Sequence, residues 1–160
     1  MNRKILIISL SWIAVIATII MILNFSAENA KESSATSEGI IKDILEVVMP
    51  EEEITPQIIR KFQIPIRKIA HFGIYMLLGF CLANAYKNTL PLKRLIVYLI
   101  SFVSLFLFSI LDEMVIQASS DGRGPSFIDS LIDSSGGIVG ILFFLFISFV
   151  SNKIIKKNPS

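Results

Sequence analysis

The chain has 160 residues, 53% of them hydrophobic and only 18% charged, with a mean hydropathy of +0.69. A soluble domain of this size cannot hide so much apolar surface behind so few charges, and disorder needs the opposite composition. A net charge of +2 leaves no footprint for nucleic acid, and one cysteine, Cys81, excludes a disulfide framework and a cysteine-rich metal site.

What remains is a membrane protein, and its apolar runs set the elements in chain order. Ile5 to Leu23 carries no charge and makes about 28 Å of helix at ~1.5 Å per residue, close to the hydrocarbon thickness. Arg3 and Lys4 would suit the start of a signal peptide, with Ala27 or Ala30 at a cut. The apolar run is longer than such peptides use and no A-x-A site follows, so a retained span is expected. In the loop 24–68, Ile40, Ile41, Ile44, Leu45 and Val48 form an amphipathic helical stripe, broken by Pro50 and Glu51-Glu52-Glu53. Ile54, Ile58, Ile59, Phe62 and Ile66 repeat it. These stretches read as helices lying on the membrane or the bundle, or as a lid over a site between the spans.

Ile69 to Ala85 is the second span, interrupted only by His71, and Leu95 to Leu111 is the third, ending at Asp112-Glu113. The fourth run, Gly136 to Val150, is short by itself and extends upstream through Phe127, which brings Asp129 and Asp133 into its first turns. The expected fold is therefore all-α, one membrane domain over 1–160. It is a four-transmembrane-helix bundle with spans near 5–23, 69–85, 95–111 and 129–150 and a long loop at 24–68.

Charge placement orients it. The N-terminus, the loop between spans two and three, and the tail hold 8 basic residues and no acidic ones, while all 13 acidic residues fall in the other connections. By the positive-inside rule both termini are expected in the cytoplasm, with loop 24–68 outside. Lys68, His71 and Tyr75 then share one membrane depth with Asp112, Glu113, Gln117, Arg123, Asp129 and Asp133. Ionisable groups in or beside spans are costly and tend to be functional. Each also has a plainer reading: Arg67 and Lys68 as interfacial anchors, His71 as a packing residue, Arg123 paired to a carboxylate as a structural lock. Gly136 and Gly140, four apart, read as a close helix contact, and are also the surface through which a homo-oligomer would form. Cys81 reads as packing, and Trp12 as facing lipid or a neighbouring helix.

The run Arg67-Lys-Ile-Ala-His71-Phe-x-x-Tyr75-x-x-Leu-Gly79 resembles the second-span signature of VanZ-like membrane proteins. Leu111-Asp-Glu113-x-x-x-Gln117, then Gly122-Arg123 and Asp129, is similar to that family's D-E-x-x-Q, G-R and D segment. Asn24-Phe25-Ser26 is similar to its exit from span one. One departure lies at Ala118 to Asp121, which is polar where the family often carries an apolar residue and a proline; here Pro125 follows Arg123 instead. The resemblance implies a multi-pass protein of the bacterial cell membrane. The family is named for a protein that lowers susceptibility to teicoplanin without the altered precursor behind vancomycin resistance. It implies no reaction.

Three functions are open at this point. The first is a non-enzymatic envelope protein that binds an amphiphile, a membrane lipid, a lipid-linked precursor or a drug, in a groove between spans two, three and four. Arg123 with Lys68 or Arg67 would hold its headgroup. The second is a membrane-embedded enzyme acting on a lipid-linked envelope molecule, with His71, Glu113 and Asp129 in catalysis. A divalent metal held by His71, Glu113, Asp129 and Asp133 is its variant; no other cofactor is expected. The third, a transporter, finds no internal repeat. The sequence contains no H-E-x-x-H, P-loop or nucleophile elbow, which favours binding.

Overall fold

The computed structural model describes residues 2–27, 30–48, 55–117 and 126–157. In chain order these form α1 (Arg3–Ala27), α2 (Ala30–Val48), α3 (Pro56–Thr89), α4 (Arg94–Leu111), a π-helical turn (Asp112–Gln117) and α5 (Phe127–Lys157). No strand occurs among the described residues. Four helices are long and apolar enough to cross a membrane: Arg3–Ala27, Pro56–Thr89, Arg94–Val115 and Phe127–Lys153. The protein is a multi-pass, all-helical membrane protein with its spans in the expected order.

α1 is built into the bundle by one stripe, Ser11, Val15, Thr18, Ile22 and Ser26, which is buried while its other faces stay apolar and exposed. The spacing of three and four residues is that of a single helical face. Ser11 and Thr18 hold their hydroxyls on the carbonyls of Ile7 and Ala14, so neither carries an unsatisfied donor into the interior. At the end of the bundle nearest the chain termini, Trp12 Nε1 donates to Thr89 Oγ1 at 2.9 Å and packs edge-on against Tyr86. Trp12 thus faces a neighbouring helix.

α3 organises the rest. Thr55 caps it by accepting from the Ile58 N–H, and Pro56 occupies the first turn, where its missing N–H costs nothing. Leu90 and Pro91 stop it. Its 34 residues make about 51 Å at ~1.5 Å per residue, well beyond ~30 Å of hydrocarbon. The second amphipathic stretch is therefore continuous with span two, running through Pro65, instead of forming a separate helix. α2 lies on this N-terminal third of α3, where Ile41, Leu45 and Ile59 are buried together with Ile58 and Ile66 against them.

α5 packs along α3 in a constant register. Lys68 meets Asp129 at one end and Lys87 meets Ser148 at the other, both 61 residues apart, so the two helices run parallel. Glycines set how close they come. A Cβ at Gly136 would fall on the carbonyl of Phe72, one at Gly140 on that of Met76, and one at Gly79 on the backbone of Gly137. Gly136 and Gly140 are thus consumed inside the chain. Both glycines, named above as the surface of a homo-oligomer, are buried against α3 of the same chain. Cys81 is buried in the core beside Leu78, Leu82 and Leu105, a packing role.

Candidate functional site

Parallel packing of α3 and α5 has a direct consequence for the polar residues. Lys68, His71 and Tyr75 follow one another at three and four residues on one face of α3. Asp129 and Asp133, four apart, face them from the first turns of α5. Lys68 Nζ donates to Asp129 Oδ1 at 2.6 Å, both side chains being partly exposed. One turn deeper, His71 Nδ1 stands 3.7 Å from Asp133 Oδ1, beyond hydrogen-bonding range. Asp133 is 1% exposed.

The third contribution comes from the π-helical turn that ends span three. Such wider turns recur at functional sites. Here the turn carries two adjacent carboxylates, and both are buried: Asp112 at 0% and Glu113 at 2% exposure. Asp112 Oδ2 accepts from Ser26 Oγ at the end of α1 and from Tyr75 Oη on α3, each at 2.8 Å. Glu113 Oε1 accepts from the backbone N–H of Ser126 at 3.2 Å, and Ser126 Oγ accepts in turn from the Asp129 N–H, capping α5. A serine ladder ties α4 to α5 beneath. Ser109 Oγ donates to the Ser130 carbonyl at 2.8 Å, and Ser134 Oγ to Ser109 Oγ at 3.3 Å.

Of the residues expected here, Lys68, His71, Tyr75, Asp112, Glu113, Asp129 and Asp133 come together at the end of the bundle away from the termini. Arg123 lies outside the described residues, as does the side chain of Gln117, whose backbone closes the π turn. Ser26, Ser109, Ser126, Ser130 and Ser134 belong to the assembly and were not anticipated. Ser130 and Ser134 sit beside Asp129 and Asp133 at the same four-residue spacing, the one sequence signal that pointed to them. The four residues expected as metal ligands are not all grouped together. Glu113 turns to Ser126 and Asp129 to Lys68, while the group whose ligand atoms lie within 4.8 Å of one another is His71, Asp112 and Asp133.

A small cleft opens between α3 and α5, lined by Arg67, Lys68, His71, Asp129, Ile132 and Asp133. Its volume, ≈ 20 Å³, holds about one water or one ion. Where a groove between spans two, three and four was expected, this polar notch lies between two and four, with the span-three carboxylates behind it. Its flanks are apolar and outward-facing: Ile69 is 68% exposed, Ile128 67% and Leu131 47%. A polar notch with cationic groups at its mouth and apolar walls beside it is the complement of an anionic headgroup with a hydrocarbon tail.

Residues 11–148 match the family model described as VanZ/LLP1. No curated protein and no solved structure is similar enough to match the chain.

Proposed function

The chain belongs to the VanZ/LLP1 family, and from that premise we propose that it is a non-enzymatic protein of the bacterial cell membrane that binds an anionic amphiphile at the outer leaflet. The observation that carries this is the notch between α3 and α5, with Arg67 and Lys68 at its mouth and exposed Ile69, Ile128 and Leu131 beside it. The notch is too small to swallow a headgroup. A phosphate or carboxylate therefore docks at the mouth, bonded by Arg67 and Lys68, while the tail lies along the apolar flanks. Asp129 keeps Lys68 extended toward that position. The outer-face assignment follows from the terminal end, whose short segments hold 8 basic residues and no acidic ones, while all 13 acidic residues lie toward the other end. Lowered susceptibility to teicoplanin, itself an amphiphile, is the physiological consequence assigned to this binding.

The experiment compares teicoplanin and vancomycin susceptibility in a Gram-positive host lacking relatives of this protein, at matched expression. Wild type and Lys68→Arg protect against teicoplanin only. The double variant Arg67→Ala/Lys68→Ala gives no protection, because two charge-assisted bonds of about 1.5–3 kcal/mol each are lost, more than tenfold in affinity. Full protection by the double variant would refute the headgroup role.

A second reading, an enzyme acting on a lipid-linked envelope molecule, draws on the placement of His71 at 3.7 Å from Asp133. It separates cleanly from the first: His71→Ala would abolish it, whereas headgroup binding at Arg67 and Lys68 survives that change.

A further inference from the structure

Two carboxylates inside the bundle each retain an oxygen that no described residue satisfies. Asp112 Oδ1 and Asp133 Oδ2 are buried without a hydrogen-bond partner among the described residues, although both side chains are at least nine-tenths buried. Leaving such an acceptor unpaired costs about 1–3 kcal/mol, more when it is charged. The two residues converge with His71 so that one ligand atom from each lies within 4.8 Å of the others. The charges point the same way. Lys68 is engaged by Asp129 at the mouth, so among the described residues the two buried carboxylates of Asp112 and Asp133 face one imidazole, that of His71. Uncompensated negative charge in an apolar interior is among the costliest arrangements a fold can hold.

We infer that His71, Asp112 and Asp133 form a binding site for a divalent cation, with open coordination positions toward the notch. The donor set is one imidazole nitrogen and two carboxylates. That mixture suits Zn²⁺ or Mn²⁺; Ca²⁺ would ask for six or more oxygens. Ligand atoms around such an ion lie roughly 3–3.5 Å apart, given metal–ligand bonds near 2.0–2.2 Å. His71 Nδ1 and Asp133 Oδ1 at 3.7 Å are already close to that spacing. Small side-chain rotations bring in Asp112, which Ser26 and Tyr75 hold from behind through its other oxygen, as outer partners of metal ligands do. The notch reaches His71 and Asp133 and has the volume of one ion, which provides the path in.

This inference deepens the proposed function and rests on it for one consequence only. An anion docked at Arg67 and Lys68 would also reach the open positions of the cation.

The test uses the full chain in detergent, stripped with chelator. Zn²⁺ binding is measured by calorimetry and Mn²⁺ binding by electron paramagnetic resonance, with no amphiphile present. One ion per chain is expected, with imidazole nitrogen coupling in the Mn²⁺ spectrum. Asp133→Asn and His71→Ala each weaken binding at least about tenfold, and His71→Ala removes the nitrogen coupling. Asp129→Asn, which alters the mouth and not the ligand set, binds as wild type. Two results overturn the site. One is no saturable binding to a folded wild type, which would mean that a shared proton settles the carboxylates. The other is equal binding to wild type and Asp133→Asn. Either leaves the headgroup reading intact, because that reading is scored on Arg67 and Lys68 in the absence of added metal.

Discussion

Gly140→Val prevents the folded protein from accumulating, while Gly137→Ala folds with a lowered melting temperature. The contrast follows from what each added carbon meets. At position 140 it meets the Met76 carbonyl oxygen and, at 2.9 Å, the Phe80 nitrogen, both on the α3 backbone. Side chains can rotate away from an intruding methyl at a cost of about 1–3 kcal/mol, but a helix backbone cannot, so α3 and α5 must move apart. Since α3 to α5 is the most extensive helix pairing in the fold, the loss is a large part of a total stability of about 5–15 kcal/mol. At position 137 the added carbon meets both methyls and Cγ of buried Leu105, a side chain that must turn aside at a cost of about 1–3 kcal/mol, while no backbone has to move. Size-exclusion profiles and thermal melts in detergent read the difference. A Gly140→Val protein that melts with wild type would mean that α3 and α5 are not held at this distance.

Asp112→Ala lowers the melting temperature substantially, and Asp112→Asn does so much less. Ser26 and Tyr75, both fully buried, donate to one oxygen of Asp112. Removing the carboxylate takes this acceptor from both hydroxyls and strands that of Tyr75. Inter-helix hydrogen bonds within membranes contribute about 0.6–1.7 kcal/mol each, because the unfolded chain in lipid also finds partners. Stranding a buried donor costs up to about 3 kcal/mol. The expected loss is therefore roughly 2–4 kcal/mol for alanine, whereas asparagine keeps an oxygen to accept both bonds. Equal destabilisation by the two substitutions would show that the fold needs the charge at this position, not the acceptor.

The spans were legible because hydropathy alone specifies a helix in lipid, where no other backbone arrangement satisfies its polar groups. The four-residue spacing of Asp129 and Asp133, and of His71 and Tyr75, placed those side chains on the right helix faces for the same reason. The pairing between helices was not legible. Ser26 reaching Asp112 depends on the relative height of α1 and the π-helical turn, and a string of apolar residues does not encode height. The π turn itself carries no sequence mark. Asp112-Glu113 read as the close of span three, and the structure buries both carboxylates with different partners. The sequence reading began span two at Ile69 and left Ile54 to Ile66 as a separate stretch, although Pro65 lies within one continuous helix. A proline in a membrane helix is tolerated where neighbours and local adjustment re-satisfy the freed carbonyl. Glycine spacing at 136 and 140 correctly signalled close helix contact but could not say whether the partner was this chain or another. The Cβ positions answer that in favour of α3.

The most direct test of the central claim is native mass spectrometry of the protein released from membranes containing phosphatidylglycerol and phosphatidylcholine. The account predicts that wild type and Lys68→Arg retain the anionic lipid in preference to the zwitterionic one, and that Arg67→Ala/Lys68→Ala loses this preference. Lys87→Ala, a change at the opposite end of the bundle, keeps it. If the double variant retained phosphatidylglycerol as wild type does, the mouth of the α3–α5 notch would not be the binding site, and the account would fail at its centre.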